Sequence, residues 1–205
     1  MLDRALEPAA KPDEIIERIL DAALSRFERF GVRRTTMEEV ARAADVARVT
    51  IYRRFASKDA LAEAVILREA RRFFDALDSA VGRRDTLEER VVESFAFTLG
   101  YLRRHVLFNR LVATEPESIV PHLTTQGEPV IGTAARLVAD RLGVEVREGR
   151  LPPLDVEVVS ELIVRLVLSF ILTPASAERL DDPAKIRRFA RRYLVALLTA
   201  PPGGP

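Results

Sequence analysis

The sequence holds no cysteine and no tryptophan, and only two methionines and three tyrosines among its 205 residues. Without cysteine there can be no disulfide, thiolate metal site or cysteine nucleophile, which fits a reducing, cytoplasmic setting. Histidine is nearly as scarce. His105 and His122 stand apart, with no carboxylate pair at metal-ligand spacing beside either, so each reads as a surface or pocket-wall residue and no metal site is expected. Lysine accounts for three of the 32 basic residues, Lys11, Lys58 and Lys185. Arginine is spread along the whole chain, and an arginine cluster alone therefore carries little weight. Long apolar runs are missing too: the stretch from Leu166 to Ala177 passes twelve residues without a charge, fewer than a membrane-spanning helix needs. The opening MLDRALEPAAKPDE has no apolar run of the secretory kind, and a soluble protein is expected. Walker loop, dinucleotide fingerprint, GxSxG elbow and HExxH are all absent. Asp181 and Asp182 lack a second acidic cluster and read as the opening of the last helix. No catalytic residue, cofactor or enzymatic role is expected.

What is present is a chain about half hydrophobic, enough for one or two compact domains with a real core. Its net charge is only +1, but the charge is unevenly placed. Arg26 to Lys58 carries nine Arg or Lys against four acids, whereas residues 1 to 25 carry three bases against six acids. The basic stretch also has an organisation of its own. Thr36 precedes Glu39 by three residues, ahead of the apolar positions Val40, Ala43 and Ala44, the spacing of a capping box that opens a helix. Asp45 and Val46 break that helix, and helical spacing resumes through Val46, Val49 or Thr50, and Phe55. Two short helices joined by a tight turn, with positive charge on the second, are an element that can enter a major groove.

No strand pattern or repeat occurs elsewhere, and the expectation is an all-α fold of about nine helices. Residues 1–12, with Pro8 and Pro12, read as a mobile arm, and 201–205 as a disordered tail. Ile15, Ile16, Ile19, Leu20, Ala23, Leu24 and Phe27 form one apolar face, closed by Gly31. Ser57 caps a long helix that Gly82 stops. Asp85 or Thr86 opens the next helix, which runs to about Arg104, and a shorter piece precedes Pro116. Glu115 to Pro129 reads as broken or irregular. Helical spacing returns from Val130 to Leu142, and Gly143 to Leu154 reads as a surface loop. In DVEVVSELIVRLVLSFILTP only Glu157, Glu161 and Arg165 form a charged line, so the helix must pack on several sides. A closing helix runs from Pro183 to about Thr199.

The residues around the two short helices resemble the tetracycline-repressor (TetR) type of transcriptional regulator. The resemblance rests on Ile19, Ala22, Ala23, Phe27, Gly31, Thr35, Thr36, Val40, Ala41, Val46, Arg48, Thr50, Ile51, Tyr52, Phe55, Lys58 and Leu61, about fifty residues at fixed spacing. It implies an N-terminal three-helix helix-turn-helix DNA-binding domain over 13–60, followed by a C-terminal helical ligand-binding and dimerisation domain over 61–200. It also implies a double-stranded palindromic operator as partner and a homodimer. Carried onto this chain, it places Thr36, Tyr52 and Lys58 at phosphates, and Arg48, Val49, Thr50 and Arg53 at base edges with Arg54 beside them. A helix N-terminus, a tyrosine hydroxyl and an ammonium can each hold a phosphate without reading sequence, and an arginine can take a guanine edge with two hydrogen bonds. Three positions depart from the pattern. Asp45 stands where glycine is common in the turn, Ala47 where a serine usually caps the second helix, and Val49 where the groove-facing surface usually has glycine.

The remaining expectations are an effector pocket and a dimer surface. Phe73, Phe74, Leu77, Phe95, Leu99, Leu102, Phe108, Leu111 and Phe170 supply large apolar groups at helical spacing, with Arg103, Asn109 and Arg165 as polar groups that would orient an apolar or amphipathic effector. Filling the core is the competing role for each. Val159, Leu162, Ile163, Leu166 and Leu168, with Phe189, Tyr193, Leu194 and Leu197 on the closing helix, would form a four-helix interface between two subunits. A helical ligand-binding or adaptor module without DNA binding, and an all-α enzyme, are the alternatives to a repressor.

Overall fold

The computed structural model describes residues 13–174 and 180–199. The arm expected over 1–12 and the tail expected over 201–205 lie outside the described residues. Among the described residues all regular structure is helical: α1 Glu14–Phe30, α2 Met37–Ala43, α3 Arg48–Arg54, α4 Lys58–Val81, α5 Leu87–Arg104, α6 Val106–Thr114, α7 Pro116–Leu123, α8 Glu128–Arg147, α9 Val156–Leu172, α10 Pro183–Phe189, a π turn Ala190–Leu194 and α11 Val195–Thr199. Local chemistry sets most of the ends. Asp13 accepts the Ile15 N–H at 3.0 Å and opens α1, Thr86 and Glu89 exchange backbone N–H bonds to open α5, and Asp182 accepts from Ala184 and Lys185 ahead of α10. Each satisfies N–H groups that a first helical turn leaves without partners.

The chain packs as two compact units. The first contains the described residues up to Arg72 together with His105–Val120; the second contains Phe73–Arg104 and the described residues from Pro121 onward. This grouping differs from the linear division at residue 60. The first part of α4 and all of α6 share the first unit's core, in which Ile19, Ala23 and Phe27 of α1 meet Val40, Ile51, Leu61, Val65, Leu107 and Leu111. His105 opens α6, its Nδ1 accepting the Phe108 N–H at 3.2 Å while Nε2 lies 3.3 Å from Glu69 Oε2. It serves as a helix cap.

In the second unit, α5 packs against α9 and the last helical segment, through Val92, Phe95, Ala96, Leu99, Ile186, Ala190 and Leu194. A second cluster, Leu142, Leu151 and Leu198 with Val146, Val156 and Val159, joins α8, α9 and α11. Two sequence expectations are corrected here. Gly143 to Leu154 is not a surface loop throughout: α8 continues through Gly143 to Arg147, because Leu142 and Val146 lie one turn apart on a face that has core to meet. Leu151 is buried beyond it. The closing helix is also not regular. Its buried positions Ile186, Ala190, Leu194 and Leu198 recur every four residues, longer than the α-helical 3.6, and the π turn at Ala190–Leu194 absorbs the difference.

Candidate nucleic-acid interface

The two short helices are fixed by side chains within the first unit. Thr36 and Glu39 form the reciprocal capping box: the Thr36 hydroxyl accepts the Glu39 N–H at 3.3 Å, and the Thr36 N–H donates to Glu39 Oε2 at 2.9 Å. The Thr36 N–H and hydroxyl, both donating to that carboxylate, and Arg26 at 2.9 Å hold the Glu39 carboxyl below its ordinary pKa. The turn that follows passes through Asp45 at φ 52, the one non-glycine residue with positive φ among those described. A short polar side chain tolerates that conformation. The turn is further tied by a residue that the sequence reading missed, Arg18 of α1, whose Nη2 donates to the carbonyls of Ala44 at 2.7 Å and Asp45 at 2.8 Å. Only the carbonyl geometry of the folded turn marks Arg18 out from the other arginines of the chain.

Ala47 precedes α3 in extended conformation and makes no side-chain cap bond, so the helix starts where a serine was expected and goes without a contribution of about 1 kcal/mol. Packing holds α3 instead. Ile51 is fully buried and Phe55 nearly so, which turns Arg48, Val49, Tyr52 and Arg53 outward to solvent and leaves Thr50 half-buried. Val49 is 73% exposed, an apolar side chain presented to water on a short basic helix. Arg54 does not join this face: its guanidinium lies 2.8 Å from Asp13 at the start of α1. Lys58 Nζ donates to the Arg33 carbonyl at 2.9 Å, and an ammonium keeps further protons for a phosphate. The Thr36 hydroxyl points its proton at Glu39 Oε2, 3.1 Å away.

The other expected sites divide between the units. Phe108, Asn109 and Leu111 belong to the first unit and the remaining ligand residues to the second. Leu111 lies in the first unit's core and the Asn109 amide donates to the His105 carbonyl. In the second unit Phe95 and Leu99 are core residues, and the Phe95 ring stacks on Phe189 at 5.8 Å and meets Phe170 edge-on at 6.4 Å. Phe73 instead joins half-buried Phe74, Phe97 and Tyr101 at ring separations of 5.1 to 6.2 Å. Leu77 and Leu102 are half-buried. Arg103 donates to the carbonyls of Leu180 and Phe170, and Arg165 is paired with Glu161 at 2.6 Å on an exposed surface. Among the expected dimer residues, Leu162, Tyr193 and Leu197 are 48%, 47% and 41% exposed, whereas Leu194 is 2% exposed. Leu194 serves this unit's own core and is not available to a partner. Val159, Ile163, Leu166, Leu168 and Phe189 are half-buried.

A short basic helix presented by a preceding helix and tight turn is a helix-turn-helix DNA-reading unit. The comparisons with known proteins agree. Residues 19–65 match the family described as bacterial regulatory proteins, tetR family, and residues 87–192 match the bacterial tetracyclin repressor C-terminal domain. An uncharacterized HTH-type transcriptional regulator of Mycobacterium tuberculosis is 30% identical over 88% of this chain and 86% of its own length. The regulator AlkX of the same organism is 28% identical over 88% and 85%. Among solved structures, the FadR of Bacillus subtilis in complex with stearoyl-CoA superposes with a TM-score of 0.63 at 16% identity, over 91% of this chain and 99% of that one. The TetR-family repressor AlkX from Dietzia sp. superposes with a TM-score of 0.62 at 22% identity, over 89% and 94%. The chain belongs to the TetR family and is a helix-turn-helix DNA-binding transcriptional regulator. No helix of the described residues is long and apolar enough to cross a membrane.

Proposed function

We propose that the protein is a homodimeric cytoplasmic repressor that reads a palindromic operator through residues 13–60 and is released by an apolar or amphipathic effector bound by residues 61–200. The observation that carries the DNA part is the outward face of α3, where Arg48, Val49, Tyr52 and Arg53 stand together on a helix whose opposite side is buried. Arg48 reads a guanine edge, Val49 meets a thymine methyl, and Tyr52 and Lys58 hold phosphates. Fluorescence-anisotropy titrations against a selected duplex and a random one test it. Arg48→Ala should cost specific binding about 1–3 kcal/mol while sparing random DNA. Tyr52→Phe and Lys58→Ala should weaken both duplexes alike, and Lys58→Ala should make the salt dependence shallower by about one unit of slope. Equal losses on both duplexes for Arg48→Ala would remove its base-reading role.

For the effector, the half-buried rings of Phe73, Phe74, Phe97 and Tyr101, gathered from α4 and α5, support an apolar ligand better than the interlocked Phe95, Phe170 and Phe189. A similar fold holds stearoyl-CoA in the Bacillus subtilis FadR. A long-chain acyl compound present at a hundred times its dissociation constant should stabilise the protein by about 2.7 kcal/mol and release the duplex. Phe73→Ala should blunt that release while leaving DNA affinity intact. Unchanged melting with every acyl chain length tried would count against the effector reading.

A further inference from the structure

The first turn of α2 carries two acids, Glu38 and Glu39, beside the surface proposed above to meet phosphates. Glu39 is committed to the capping box and to Arg26. Glu38 is engaged differently. Its Oε1 lies 2.8 Å from Nη2 of Arg48 and accepts the Tyr52 hydroxyl at 3.4 Å, so one carboxylate oxygen holds a residue assigned to a base edge and another assigned to a phosphate. The Arg48 guanidinium also lies over the Tyr52 ring, 5.5 Å from its centroid. The arrangement has the chemistry of a phosphate contact: a single anionic oxygen receiving a guanidinium and a phenol.

We infer that Glu38 is an internal stand-in for DNA phosphate that engages Arg48 and Tyr52 in the free protein, so that any duplex taking them must displace it and overall DNA affinity is held down. On a random duplex, Arg48 can gain only a phosphate, which exchanges one anionic partner for another and yields little. On the operator it gains two hydrogen bonds to a guanine edge, yet the same ion pair must break there. A carboxylate that merely braced Arg48 for base reading would have no reason to hold the phosphate-binding phenol on the same oxygen. The effect has a bounded size, because the pair is solvated: the Arg48 side chain is 70% exposed and that of Glu38 41%, and exposed ion pairs are weak.

The inference rests on the reading of Arg48 and Tyr52 given above. The test compares wild type, Glu38→Gln, Arg48→Ala, and the Arg48→Ala/Tyr52→Phe protein with and without Glu38→Gln. Each is titrated over a range of salt concentrations against a random 30-base-pair pool and against the best duplex selected from that pool by the wild type. Thermal melts of every variant report folding. Glu38→Gln should tighten random-DNA binding about threefold to tenfold and steepen its salt slope by about one as Arg48 takes up a phosphate. The selected duplex should tighten by a similar factor, because the same ion pair must break there, and in the double-substituted background the Glu38→Gln effect should vanish. Unchanged random-DNA affinity and slope would overturn the inference, as would an equal gain in the double-substituted background, which would make Glu38 a general repeller of phosphates. If Arg48→Ala lowers both duplexes by one factor, the base-reading assignment itself fails, and Glu38→Gln still decides the inference. If Arg48→Ala behaves as a base reader while Glu38→Gln changes nothing, only the inference fails.

Discussion

Leu162→Glu and Leu197→Glu should each turn the dimer into a helical monomer that has lost specific DNA binding. Both leucines lie on the outer sides of neighbouring elements, α9 and α11, whose inner sides meet through Leu198, Val159 and Ile163. In a two-fold interface each substitution appears twice, and an uncompensated buried charge costs about 3–5 kcal/mol. A monomer then has one short recognition helix on the duplex, and specific affinity should fall by at least about a hundredfold. Leu194→Glu provides the contrast. That side chain is 2% exposed inside its own unit, so the substitution should lower helicity and melting temperature before it alters assembly. Light scattering and circular dichroism separate the two outcomes, and dimers persisting in both surface variants would place the interface elsewhere.

Gly31→Ala should be among the most destabilising single-methyl additions in the molecule. Gly31 closes α1 at φ 85 and ψ 161, a region of backbone space that is essentially glycine's alone. A Cβ there would also stand 2.2 Å from Glu115 Oε1. Glu115 is 5% exposed, and its carboxylate accepts the Arg33 N–H through both oxygens at 3.4 Å, so it has little room to retreat. A loss of about 2–4 kcal/mol follows, or roughly 5–15 °C in melting temperature for a chain of this size. Gly149→Ala is the internal control, since Gly149 also has positive φ, at +70°, but nothing within 4 Å of the added atom. It should cost only the backbone term of about 1–2 kcal/mol. Equal, small losses at the two glycines would show that the Glu115 contact carries no weight.

The parts of this molecule that could be read from sequence are those decided within a few residues. The Thr36–Glu39 box, the Asp45 turn and the uncapped start at Ala47 each depend on a side chain and the backbone within four positions of it, and the structure has all three. What required the folded chain was decided by partners far away. Arg18 reaches the α2–α3 turn across 26 and 27 positions, and nothing in its neighbourhood separates it from the other arginines. The same holds for Arg54, which pairs with Asp13 instead of joining the outward face of α3. Apolar spacing marked Phe95 and Leu194 as buried on some surface, but period alone does not tell a core from a pocket or an interface. Gly143 and the π turn show a further limit: tertiary contacts carried α8 through a helix-weakening glycine, and a four-residue repeat of buried side chains required a turn wider than the α-helix.

If α3 reads sequence from two subunits at once, selection from a pool of random duplexes will show it. Wild-type protein should enrich a two-fold symmetric sequence whose half-sites are separated by one helical turn of DNA, about 10–10.5 base pairs, or a multiple of it. The Arg48→Ala protein should enrich the same frame with one position per half-site relaxed. Enrichment of no sequence, or of an asymmetric one that Arg48→Ala leaves unchanged, would contradict the account.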